Sequence, residues 1–147
     1  MFKNYVSKEF SDFIEIKARQ DRMFSGDAAI VIPWEDISLY VMDWDNFITK
    51  YPSSFFIEKA IHEYFRYMSA FLFGDYNSLV WDESGTVKND IHLVFNTFLK
   101  KHPNSKSAKI LEFYLKEIEK NNEKVTDNLQ EKVDEFMEQI WLDKSYT

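Results

Sequence analysis

His62, His92 and His102 are the residues best suited to proton transfer or metal ligation in a chain that has no cysteine. The missing thiol removes disulfides, thiolate zinc sites, iron–sulfur clusters and a cysteine nucleophile. His62-Glu63 opens like a His-Glu-x-x-His helix, where two imidazoles one turn apart share a metal. The residue four positions after His62 is Arg66, so no second ligand follows. Glu58 and His62 are one helical turn apart and spaced to orient each other as an acid–base pair, although a structural role accounts for them as well. His102 abuts Pro103 and reads as a turn residue, while His92 borders an apolar stripe. Serine occurs in no recognisable nucleophile elbow, and Gly26, Gly74 and Gly85 are too scattered to cradle a phosphate. These residues predict no catalysis, no metal and no organic cofactor.

Acidic and aromatic residues carry the stronger signal. Aspartate plus glutamate number 25 against 18 lysines and arginines, giving a formal charge of −7. Nucleic-acid binders present a basic stripe to phosphates, so the expected partner is a basic protein. Between Arg22 and Lys50 there is no basic residue, while Asp27, Glu35, Asp36, Asp43 and Asp45 are all acidic. A second acidic stretch runs from Asp127 to Asp143, opposed only by Lys132, and Lys100 to Lys124 carries seven lysines against four glutamates. Aromatic residues make up 18% of the chain, more than its core stripes require. Leu39 and Met42 fall off the Ile37–Trp44–Ile48 stripe, and Phe55, Phe56, Tyr67 and Phe73 fall off the next one. Tyr76 and Trp81 stand beside Asp75, Asp82 and Glu83. Aromatic anchors ringed by one charge sign suit a protein interface. The expected contact set is therefore Asp27, Glu35, Asp36, Leu39, Met42, Asp43 and Asp45, with Tyr76, Trp81, Asp82 and Glu83 from a second segment.

The elements that must position these residues are helices. At 147 residues the chain predicts a single domain, 1–147, large enough to bury its own core. Its 3 glycines and 3 prolines are too few for a many-stranded sheet. Apolar spacing predicts five or six helices. The first holds Phe2, Tyr5, Val6, Phe10, Phe13 and Ile14 and extends to about Met23. The second, from Ile37 to Tyr51, is closed by Pro52, and the third starts at Ser53 or Ser54 and stops at Gly74. The fourth, with Ile91, Phe95, Phe98 and Leu99, is closed by Pro103. Asn104 or Ser105 caps a fifth, and a sixth spans Val125 to about Leu142. Two long loops remain, with the β-prone runs Ile30-Val31-Ile32 and Leu79-Val80-Trp81, which are expected to pair as a small two-stranded element. The longest uncharged apolar stretch, Ala28 to Trp34, is too short for a membrane span, and the N-terminal residues lack a signal-peptide core. A cytoplasmic location is expected.

Phe47-Ile48-Thr49-Lys50-Tyr51-Pro52-Ser53-Ser54 matches Phe98-Leu99-Lys100-Lys101-His102-Pro103-Asn104-Ser105 at an offset of 51 residues. At the same offset Tyr40 falls on Ile91, Trp44 on Phe95 and Ala60 on Leu111. Each copy predicts an antiparallel helical hairpin, with proline ending one helix and a hydroxyl or amide residue capping the next. The two copies, roughly residues 37–72 and 88–120, resemble the helix-turn-helix junctions of tetratricopeptide-like repeats. That resemblance implies a non-catalytic scaffold holding a peptide or partner helix. The period exceeds the roughly 34 residues of that repeat, and its Trp-Leu-Gly-Tyr positions are not met. In size, acidity and lack of cysteine the chain is also similar to the cytoplasmic immunity proteins that neutralise bacterial nuclease toxins. That likeness implies occlusion of a basic toxin by acidic groups.

Overall fold

The computed structural model describes residues 7–21 and 23–142. These residues form six helices, α1 Lys8–Arg19, α2 Trp34–Lys50, α3 Ile57–Phe73, α4 Asn89–Lys101, α5 Lys106–Lys120 and α6 Leu129–Leu142. Two antiparallel β-hairpins join them, β1 Ser25–Gly26 with β2 Ala29–Ile30, and β3 Gly74–Asp75 with β4 Ser78–Leu79. The fold is all-α with a minor β element, as the apolar periodicity predicts.

Several boundaries differ from expectation. Phe2, Tyr5 and Val6 lie outside the described residues, and α1 ends at Arg19. Helix α3 begins at Ile57 because Ser54 spends its hydroxyl on the turn, accepting from the Phe56 N–H and donating to Glu9. Helix α6 begins at Leu129, four residues after Val125, whose N–H bonds the Gly85 carbonyl instead. The two β-prone runs do not form one ladder. Each lies at a hairpin of its own, and the hairpins dock through single bonds. The Asn77 N–H donates to the Ala28 carbonyl at 2.6 Å, its amide donates to the Asp27 carbonyl at 2.7 Å, and the Ile30 N–H donates to Ser78 Oγ at 2.9 Å. Asp27 and Ala28 both hold positive φ, the tight-turn conformation that matches strand twist. Gly74 ends α3 at φ 77°, where a Cβ would stand 1.9 Å from the Ser78 carbonyl oxygen, so only glycine fits the start of the second hairpin.

Helix α2 runs through the centre. Its buried residues include Ile37, Tyr40, Trp44 and Phe47 on the expected stripe. Phe13 of α1 packs edge-on against both Trp44 and Phe47 at centroid distances of 5.5 and 5.8 Å. The Trp44 indole donates to Gln20 Oε1 at 2.8 Å, which satisfies the one polar atom of the largest buried side chain. Phe95 of α4 is fully buried as well, against Phe71 and Tyr114. Ser105 caps α5 by accepting from the Ala108 N–H at 3.0 Å. Asp45 reaches from α2 to the same helix end, where it accepts from the Ser107 N–H and hydroxyl. The Ser107 hydroxyl is also 2.8 Å from the Tyr64 phenol, so α2, α3 and α5 meet in one buried polar network.

Candidate interaction surface

The loop from Gly74 to Lys88 holds the aromatic and acidic residues on a stiff frame. Val80 is buried, Trp81 pairs with Val87 across an antiparallel bridge, and the Lys88 N–H donates to the Val80 carbonyl. Asp82 closes the turn between them. Its carboxylate accepts from the Ser84 hydroxyl and N–H and from the Thr86 N–H, at 2.7, 2.9 and 3.1 Å. The Ser84 hydroxyl, then the Thr86 N–H, hold the Asp82 carboxyl below its ordinary range. From the other side, Lys124 Nζ donates to Thr86 Oγ1 at 3.0 Å and the Val125 N–H bonds the Gly85 carbonyl at 2.9 Å. In the preceding hairpin the Ser25 hydroxyl and then the Tyr76 N–H lower the Asp75 carboxyl in the same way.

This frame encloses an open concavity of about 600 Å³, lined by Tyr76, Leu79, Trp81, Asp82, Glu83 and Lys88 among others. Tyr76 stands 84% exposed at the hairpin tip, and Trp81 is half-buried with its ring edge-on to Phe73 at 6.5 Å. A flat aromatic wall beside carboxylates accepts a guanidinium or ammonium group by cation–π attraction and ion pairing together. Leu79 and Lys88 also line a second depression, which includes Glu35 and Asp90 at the starts of α2 and α4. That depression in turn shares Glu35, Asp90 and Val94 with a shallow groove of about 210 Å³ between α2 and α4.

The structure distributes the expected contact residues unevenly. Tyr76, Trp81, Asp82 and Glu83 gather in one concavity. Glu35 and Leu39 lie in the adjoining α2–α4 groove, and Asp27 is exposed in the turn that docks on Asn77. Met42, Asp43 and Asp45 must be reassigned. Met42 is only 7% exposed, because α2 is central and buries more than one face. Asp45 is 3% exposed and serves the α5 cap. Asp43 is half-buried and held by Arg19 at 2.9 Å and by the Gln20 amide at 3.1 Å, so α1 supplies the counter-charge that the 23–49 span lacks. Asp36 is half-buried at the start of α2, outside the linings of these three depressions. Of the off-stripe aromatics on α3, Tyr67 and Phe73 are buried in the core, while Phe55 is exposed in the turn before it.

No protein-family model, curated protein or solved structure matches the chain.

Glu58 and His62 are both exposed on α3, while Glu63 turns inward to Lys17 at 3.5 Å and Arg66 at 3.0 Å. Among the described residues no three acids or histidines gather in a metal-holding arrangement, and no helix is long and apolar enough to cross a membrane. Leu79, Lys88, Asp90, Leu93 and Lys101 line these depressions without having been expected there. Leu93 carried a readable signal: it is a leucine off the Ile91–Phe95–Phe98 stripe.

Proposed function

We propose that this chain is a non-enzymatic protein-binding module that neutralises a basic protein by covering it, in the manner of a cytoplasmic immunity protein. The observation that carries this reading is the concavity lined by Tyr76, Trp81, Asp82 and Glu83 on a hydrogen-bonded loop. An arginine or lysine side chain of the partner packs on the aromatic wall and meets the carboxylates. Because the loop is braced in the free protein, binding requires little ordering, which favours a long-lived complex. The overall charge of −7 favours encounter with a basic partner and disfavours nucleic acid as the ligand. A chain without cysteine suits a reducing cytoplasm.

The test is affinity capture from the source cells, followed by reconstitution with the purified captured protein. Trp81→Ala should shorten the lifetime of the complex, and Glu83→Lys should slow association, with far-ultraviolet dichroism unchanged in both. A captured partner that is acidic, or an affinity indifferent to both variants, would refute the assignment.

A further inference from the structure

We infer that α4 is the seam of a symmetric dimer, pairing antiparallel with α4 of a second copy of this chain. The argument starts from Leu93, which is 69% exposed in the middle of a three-turn helix whose opposite side is core. At the repeat offset its counterpart is Met42, 7% exposed in α2. The position that the first copy of the repeat covers is thus bare in the second. Leu39, 58% exposed on α2, stands across the groove and extends the apolar strip.

The charges at the two ends of this strip identify what covers it. Asp90, Leu93, Val94, Thr97 and Lys101 recur at helical spacing and form one line along α4 about 16 Å long. Glu35 joins Asp90 at the acidic end, and His102 joins Lys101 at the basic end. A line that reads acid, leucine, base is complementary to itself when turned end for end. A two-fold axis near the middle of α4 therefore sets Asp90 of each copy against Lys101 of the other and lays Leu93 of each copy over Thr97 of the other. A two-fold interface uses the same patch on both subunits, and it is the commonest way for identical chains to associate. The antiparallel arrangement also opposes the two helix dipoles favourably. The seam is short, so the dimer belongs with small, exchanging interfaces. It adjoins the Tyr76–Trp81 concavity through the depression that holds Leu79, Lys88 and Asp90, and does not depend on the function proposed for that concavity.

Sedimentation velocity on the full chain, from about 10 µM to 1 mM, tests the pairing directly. The wild type should shift from monomer to dimer across that range, and Leu93→Asp should stay monomeric with an unchanged dichroism spectrum. Asp90→Lys and Lys101→Asp should each weaken self-association by about tenfold, since each sets like charges together at both ends. Mixed in equal amounts, these two variants should pair with one another at least as well as wild type, because both contacts are then restored. A wild-type chain that remains monomeric at 1 mM overturns the inference. So does a dimer that ignores the single reversals or shows no preference in the mixture.

Discussion

Helices α2 and α4 hold the same three anchors at the repeat offset, Tyr40, Trp44 and Phe47 in one and Ile91, Phe95 and Phe98 in the other, all buried. Their remaining faces diverge. In α2 Val41, Met42 and Asp45 are buried too, because α1, α3 and α5 surround it. The α4 counterparts His92, Leu93 and Asn96 are exposed. One local motif, a helix stopped by proline and turned back into a second helix, therefore serves an inner copy that builds the core and an outer copy that presents a surface. The anchors fix where each helix lies, and the number of neighbours decides what its other residues do.

The most damaging way to break the comparison is at the shared anchors. Trp44→Ala and Phe95→Ala should each cost about 3–5 kcal/mol in urea unfolding, as large aromatics removed from a closed core do. A near-zero effect at Phe95 alone would show that the two copies do not share one frame. Next comes the polar position. Asp45→Ala strips the acceptor from two buried donors of Ser107 and should cost about 1–3 kcal/mol for each group left unpaired. Its exposed counterpart Asn96→Ala should change stability by less than about 0.5 kcal/mol.

A gentler contrast comes from acid. Asp82 and Asp75, on the loop before α4, have carboxyls lowered from an ordinary value of 3.8 by hydrogen bonds to their charged forms. Asp12 on α1 is lowered by Lys8, then Tyr51. A depressed folded value means that the carboxylate favours the folded form above the ordinary value, and that this contribution is lost as pH falls below it. Below about pH 4 the 74–88 loop should therefore lose amide protection, measured against the intrinsic exchange rate at each pH, while the Trp44 core stays protected. A loop protection factor that stays constant between pH 6 and 3 would show that Asp82 does not brace the turn.

The two helical hairpins were legible in sequence because Pro52 and Pro103 each follow a matching stripe, and because Ser105 stands where α5 needs a cap. The end of α3 was legible for a related reason, since only glycine tolerates the backbone turn at position 74. The fate of the acidic span was not. Asp45 looks like any surface acid until Ser107, 62 residues downstream, is brought against it. Asp43 looks unopposed until α1 carries Arg19 to it. Met42 falls off the stripe yet is buried, because a helix covered on several sides has no single stripe. The β-hairpins were misread because strands of two residues carry no periodicity. Tyr76, Trp81, Asp82 and Glu83 line one concavity because they are close in sequence and share one loop.

The measurement that bears most directly on the inner and outer copies is a pair of truncations at one repeat position, made in dilute protein where only monomer is present. Met42→Ala should cost about 2–5 kcal/mol in urea unfolding, and Leu93→Ala less than about 0.5 kcal/mol. Equal costs at the two positions would contradict the account, because Leu93 would then belong to the core of its own chain and could offer no surface to another.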